Sequence, residues 1–279
     1  MKKSQLIGGA FHYTRWPFTH YLDILKKLDI HAIEFYAASP HMYPDDYTVG
    51  MAYELKKQME ERDVEAHVIT TEQCSYPISI CCDDPFMRER SLRVYEKTLE
   101  LGHALGAKTM QVMGGYYNIE EGEHLPELQK RAKEGIYRIA KYAASLDMQL
   151  VLEADPPSAI KNCKDIRNFL DDLKQPNVYG MIDFGASWTC NEDFEEAVKI
   201  LGKDLRHIHL NDVKDMQPCF AAGRGNIPLY DWFDILDKYN YQYDICPEYW
   251  GTKYVFEADE VLEETVNYFN AYIDSRNKR

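Results

Sequence analysis

None of the seven cysteines of this 279-residue chain stands in a Cys-x-x-Cys pair, so neither a zinc ribbon nor a thioredoxin-type redox centre is indicated. Their odd number, with Cys81 and Cys82 adjacent, argues against a disulfide framework and for reduced thiols in a cytoplasmic enzyme. No window approaches the roughly 18 consecutive apolar residues needed to span a membrane. After Met1-Lys2-Lys3 the apolar run is short and meets His12, Thr14 and Arg15, so the start is expected to be a cytoplasmic N-terminus rather than a signal peptide. No basic stripe offsets the net charge of −14, from 46 acids and 32 bases, and nucleic acid is not an expected partner. Linkers, low-complexity tracts and composition shifts are absent too. Residues 1–279 are therefore read as a single domain, with 45% hydrophobic residues to fill a core.

What is present is alternation. Eight short apolar segments, at 5–11, 32–37, 65–72, 109–114, 149–155, 179–185, 205–211 and 244–250, alternate with helical patterns. In 85–105 Leu92, Tyr95 and Leu99 recur at helical spacing; Asp84-Pro85 supplies a capping side chain and a first-turn proline, and Gly106 a C-terminal stop. In 125–146 Ile136, Ile139, Ala140 and Ala143 share one face. Eight such units in this length predict an α/β fold, a (β/α)8 TIM barrel with eight parallel strands. A doubly wound sheet would carry a glycine-rich phosphate turn after its first strand, which Gly8-Gly9-Ala10-Phe11-His12 does not match.

Four of the later segments end on a metal-ligand side chain: Glu153 in VLEAD, Asp183 in MIDFG, His209 in HIHLND and Glu248 in CPEYW. In a barrel, sites lie at the C-terminal ends of the strands, and adjacent strand ends are close enough to enclose one ion. Mixed carboxylate and imidazole ligands suit one divalent metal ion, Mn2+ foremost, with Co2+, Mg2+ or Zn2+ as alternatives; the lack of thiolate disfavours a purely structural zinc site. His207 shares the strand of His209. If both point inward, it lies one layer deeper, as a supporting or core histidine.

The combination of Leu152-Glu153, Ile182-Asp183, Arg206-His-Ile-His-Leu210, Gly223-Arg-Gly-Asn-Ile-Pro228 and Pro247-Glu248 resembles the xylose-isomerase-like superfamily of sugar isomerases and epimerases. Within it, the chain looks like the D-tagatose and D-psicose 3-epimerases and, most of all, the fructoselysine 3-epimerases. Ile33-Glu34 followed by Ser39-Pro40-His41, and Glu72 followed by Tyr76-Pro77, extend the likeness along nearly the whole chain. The resemblance implies a metal-bound ketose, with Glu153 and Glu248 as the acid/base pair that epimerises C3 through an enediolate.

The chain departs from the tagatose and psicose pattern at Ala186, Ala159 and Asp215, where those enzymes carry a histidine, a glutamate and an arginine. Asp155 is a candidate to compensate for Ala159. Candidate substrate contacts are His12, His41, Glu72, Gln111 and Trp188. Gly223-Arg224-Gly225 could hold a phosphate or carboxylate through backbone N–H groups and a guanidinium. The expected substrate is a small sugar or sugar-amine, and a homo-oligomer is compatible with the abundance of tyrosine. An aldose–ketose isomerase, an inosose-type dehydratase and a non-catalytic sugar-binding barrel share the same ligand set and stay open. A DNA-repair endonuclease of this superfamily would need more histidine ligands and a basic face.

Overall fold

Strands buried on both faces read as nearly continuous apolar runs, and those of this protein do. The computed structural model describes residues 1–74, 78–118, 120, 124–156 and 158–276. Eight strands form one parallel sheet in chain order: β1 (Gly8–Gly9), β2 (Ala32–Ala37), β3 (Glu65–Thr71), β4 (Thr109–Met113), β5 (Gln149–Glu153), β6 (Val178–Asp183), β7 (Leu205–Leu210) and β10 (Asp244–Pro247). A parallel bridge from Leu6 to Ile245, with Ile7 N–H donating to the Ile245 carbonyl at 3.0 Å, brings the last strand round to the first. The predicted TIM barrel is what the chain forms. Its seam needs glycine: a Cβ at Gly9 would lie 2.3 Å from the Pro247 carbonyl oxygen. Of the expected first strand, Gly8 and Gly9 pair with β2 and Leu6 bridges to Ile245, while Gln5 ends a 3-10 turn and Ala10 accepts from Tyr13 N–H in the turn that follows.

Helices α1 (Phe18–Lys27), α2 (Val49–Glu60), α3 (Pro85–Leu105), α4 (Leu125–Ser145) and α5 (Cys163–Leu173) follow the first five strands. After β6 come the short α6 (Phe184–Thr189) and α7 (Phe194–Leu201), and α8 (Leu229–Lys238) and α9 (Ala258–Arg276) complete the ring. The punctuation behaves as its chemistry requires. Asp84 accepts from the N–H groups of Phe86 and Met87, Pro85 opens α3, and Gly106 closes it at φ 101°. An antiparallel hairpin, β8 (Asp212–Lys214) with β9 (Gln217–Phe220), is inserted after β7. Its short polar strands give no alternating pattern, so sequence periodicity does not reveal it. Among the described residues, no helix is long and apolar enough to cross a membrane.

Side chains alternate across each strand. Ile33, Phe35, Ile69, Met110, Val112, Leu150, Leu152, Ile182, Ile208 and Ile245 belong to the large core shared with the helices. Ala32, Tyr36, Val68 and Cys246 point the other way and join Ile7 and Phe11 in a smaller apolar cluster. On that inner face, two residues further along the alternation, stand Glu34, Thr70, Gln111, Glu153, Asp183, His207 and His209, every one of them buried. The polar centre of the barrel is therefore a consequence of register.

Candidate active site

The register brings the four predicted ligands together. Asp183 pairs with His209 across β6 and β7, and Cys246 pairs with His209 across β7 and β10, so Glu248 emerges two residues beyond. One ligand atom from each of Glu153, Asp183, His209 and Glu248 lies within 4.8 Å of all the others. His209 is fully buried, and its Nδ1 faces Glu153 at 3.3 Å and Glu248 at 3.4 Å.

Each candidate ligand is held by neighbours. The Gln111 side-chain amide donates to Glu153; Gln73 donates to Gln111 and in turn accepts from Tyr95 and from Met113 N–H. Asp183 is also the N-cap of α6: it accepts from Ala186 N–H at 2.6 Å and from the Asn211 amide at 2.5 Å. Gly185 makes room for that amide, since a Cβ there would lie 2.2 Å from Asn211 Oδ1. On the far side of the imidazole, Nε2 of His209 meets the buried Glu34 carboxylate at 3.1 and 3.2 Å. Glu34 also receives His207 Nε2 at 2.6 Å and the Thr70 hydroxyl. His207 is thus the deeper, supporting histidine.

The charges differ on the two sides. Burial opposes ionisation of Glu34, but His209 and His207 outweigh it and hold its carboxyl well below the usual range. Burial, and then the charges of Glu248 and Glu153, push Asp183 well above its usual range; burial also raises Glu153, against the opposing pull of His209. Burial would lower His209, yet Glu34, Glu248 and Glu153 outweigh it and raise it well above the ordinary imidazole value. With Nε2 engaged by Glu34, Nδ1 is the ring atom turned toward the acids, and it has no hydrogen-bond partner; a divalent cation would take the place of the proton there. Three carboxylates around an orphaned imidazole nitrogen form a donor set suited to a divalent cation.

Above this cluster opens a cavity of about 240 Å3. Glu153, Asp183 and Glu248 line it, together with Phe11, Tyr36, Glu72, Gln73, Gln111, Met113, Tyr116 and Trp250. Glu72 accepts from the Tyr36 hydroxyl, from Cys74 N–H and from the Trp250 indole at 3.3 Å. Asp155 accepts from the Tyr116 hydroxyl; burial, against that bond, raises its carboxyl to about 7.

Of the candidate substrate contacts, Glu72 and Gln111 line the cavity and four others do not. His12 is wholly buried against the rings of Tyr13 and Tyr249, and burial lowers it to about 4. His41 donates from Nε2 to the Trp16 carbonyl at 2.9 Å and leans on Phe18. Trp188 is half-buried beside Trp232 at 6.1 Å. Arg224 is forked onto Glu264 at 2.9 and 3.0 Å and reaches Glu257 at 3.4 Å, tying its loop to α9. The N–H groups of Gly223 and Gly225 bind the buried Asp212 carboxylate, at 3.2 and 2.9 Å, with Ile227 N–H at 2.9 Å. The Gly-Arg-Gly turn is therefore a structural clasp whose donors are already taken, which corrects the anion-site expectation. Tyr76 and Pro77 lie outside the described residues.

Glu34, Thr70, Tyr36, Asn211 and Trp250 also stand beside these groups, and none of them is among the candidate site residues read from the sequence. A glutamate in the middle of the all-buried Ala32–Ala37 strand is itself a signal, because an ionised group is held there only with partners. Trp250 follows Glu248 by two, the spacing that keeps two side chains on one face of an extended segment.

A parallel eight-stranded barrel with acids and an imidazole at the C-terminal ends of its strands defines a class, the TIM barrels built around a candidate metal centre. The chain belongs to the xylose isomerase-like TIM barrel family, which it matches over residues 22–272. It is similar to the fructoselysine 3-epimerase of Escherichia coli O157:H7, 22% identical over 231 residues, covering 81% of this chain and 83% of that one. A shorter likeness, 28% identity over 140 residues, links it to the inosose dehydratase of Erwinia tasmaniensis, over 46% of this chain and 47% of the other. The fold of D-psicose 3-epimerase, solved in the presence of D-fructose, superposes with a TM-score of 0.76 at 18% identity, over 94% of this chain and 98% of that one.

Proposed function

We propose that this protein is a divalent-metal-dependent epimerase that inverts C3 of a ketose or a ketose conjugate. The observation that carries the reading is the pair of glutamates, Glu153 and Glu248, set at 3.3 and 3.4 Å from the same orphaned imidazole nitrogen at the floor of a sugar-sized cavity. The fructoselysine 3-epimerase likeness supports it.

Glu153, Asp183, His209 through Nδ1, and Glu248 would hold the ion, Mn2+ being the first choice. Bound there, a divalent cation polarises a carbonyl and stabilises the negative charge that develops when an adjacent proton leaves. The chain's own residues then move the proton. One of Glu153 and Glu248 takes the C3 proton, and the other returns a proton to C3 from the opposite face of the planar enediolate. Both glutamates lie beside the same imidazole nitrogen, so each can serve as base in one direction and as acid in the other. Gln111 fixes one Glu153 oxygen and leaves the other for this work. Asn211 and Ala186 N–H lock Asp183 so that it orients rather than reacts. Phe11, Tyr36, Met113 and Trp250 exclude water from the sugar face.

The test is proton washout in D2O with the metal-loaded protein and a set of ketoses and fructosyl-amines. Exchange of the C3 proton, absent in Glu153→Gln and after chelation, is expected. Exchange at C1 would make the protein an aldose–ketose isomerase, and elimination of water from the substrate a dehydratase, as its shorter likeness is named. Ligand binding without any exchange would leave a non-catalytic barrel.

A further inference from the structure

The cavity that would hold the ketose is lined by five carboxylates, Glu72, Glu153, Asp155, Asp183 and Glu248, and, among the described residues, by no lysine, arginine or histidine. The sequence between Thr71 and Met87, and between Met113 and Gln129, contains no lysine or arginine either. Three cations elsewhere at this end of the barrel are engaged. Lys253 sets its Nζ over the Phe220 ring at 3.3 Å and donates to the Pro218 carbonyl at 3.3 Å. Lys161 lies over Tyr117 at 5.8 Å, and Arg224 is paired with Glu257 and Glu264. The backbone N–H groups of the Gly-Arg-Gly turn, the other phosphate-binding device in the sequence, are bound to Asp212. Asp155 offers the opposite chemistry: Tyr116 donates to its Oδ2, and Oδ1 accepts no hydrogen bond among the described residues.

From this lining we infer that the site takes ketoses whose non-reacting end is uncharged or bears an ammonium group, with Asp155 Oδ1 as an acceptor for that end, and that it excludes ketose phosphates. The inference rests on the ketose reading above and adds the charge of the substrate to it. Away from the ion, which the reacting oxygens would occupy, a phosphate would lose water and meet Glu72 and Asp155, with no lysine, arginine or histidine among the described lining residues to replace the lost solvation. An ammonium or hydroxyl would instead donate to an acceptor already in place.

The experiment is calorimetric titration of the Mn2+-loaded protein with four probes: D-fructose, its 1-phosphate, its 6-phosphate, and 1-deoxy-1-propylamino-D-fructose, whose nitrogen is protonated at neutral pH. Measurements at about 0.5 M salt screen the long-range repulsion from the net charge of −14, so that local contacts decide. Both phosphates are expected to bind at least tenfold more weakly than fructose, or about 1.4 kcal/mol, and the amine at least as tightly as fructose. Asp155→Asn is expected to weaken the amine selectively and to narrow its lead over the phosphates, with an unchanged melting temperature verifying the fold. A phosphate that binds as tightly as fructose would overturn the inference. Failure of all four to bind would overturn the ketose reading itself, and this inference with it.

Discussion

Two carboxylate groups flank one imidazole at the centre of this barrel, and they are in opposite electrostatic states. On the Nε2 side of His209, the lone Glu34 carboxylate receives His207, His209 and the Thr70 hydroxyl, and its proton affinity is depressed. On the Nδ1 side, Glu153, Asp183 and Glu248 crowd together, and the two most deeply buried of them are pushed toward protonation. Glu34, Glu153 and Asp183 are all buried and only Glu248 is part-exposed, so it is chiefly the count of donors that differs. Glu34, His207 and His209 also lie close enough to share an ion, but that group is already neutralised within the protein. The Nδ1 group is not, and a divalent cation would complete it. Polar residues at the end of a barrel strand thus divide into those that the protein satisfies and those left for a ligand.

The most direct way to break this contrast is to remove a carboxylate from the unsatisfied side. Glu153→Gln takes away a metal donor and an acid/base group together, and we expect proton exchange to fall by about 10²–10⁴-fold or more, with metal affinity falling in parallel. Equilibrium metal binding measured beside C3–H exchange separates the two losses. If Glu153→Gln keeps both, the acid/base assignment is wrong.

Chelation should expose the strain that the ion relieves. Without it, native Asp183 and Glu153 bind protons above the ordinary carboxylate values of 3.8 and 4.5, and native His209 binds one above 6.5. Over that interval the folded state holds more protons than the unfolded one, so stability falls as pH rises through neutrality. Metal occupancy replaces those protons, flattens the slope, and at a hundredfold excess over Kd adds about 2.7 kcal/mol. Melting temperatures with and without chelator should therefore diverge as pH rises from 5.5 to 8, on the order of this effect. A gap that is widest at the acid end would contradict the charge assignment.

Glu34→Gln tests the other side. The amide no longer offers His209 Nε2 a charged acceptor, and supports of this kind alter metal affinity by about 10–100-fold. The expected result is weaker binding of Mn2+ in calorimetry with all four ligands intact. Unchanged affinity would reduce Glu34 to a packing residue.

These residues also mark what the sequence can and cannot disclose. The barrel was legible because each strand is buried on both faces and each helix is punctuated, as at Asp84-Pro85 and Gly106. The clustering of the four candidate ligands is legible because each lies at the same depth in successive units. Glu34 was harder, since its partners His207 and His209 lie 173 and 175 residues away and no local pattern joins them. His12, His41 and Trp188 follow strand ends, yet their loops fold back on neighbouring rings and a carbonyl instead of opening to the cavity. Arg224 reads as an anion ligand until α9 delivers Glu257 and Glu264 beside it. The chemistry of a side chain was readable at each of these positions; its distant partner was not.

The smallest expected effect concerns His207, which touches the satisfied side alone. Replacing it with phenylalanine removes the 2.6 Å hydrogen bond to Glu34 and leaves a buried carboxylate supported by Thr70 and His209. Such a loss costs about 1–3 kcal/mol of stability. His207→Gln, which retains a donor, should recover part of it. Metal affinity should change less than in Glu34→Gln, because His209 keeps its acceptor. If instead His207→Phe weakens metal binding as much as Glu34→Gln while costing little stability, the two histidines act as one unit, and the boundary drawn through the His209 ring would have to move one layer deeper.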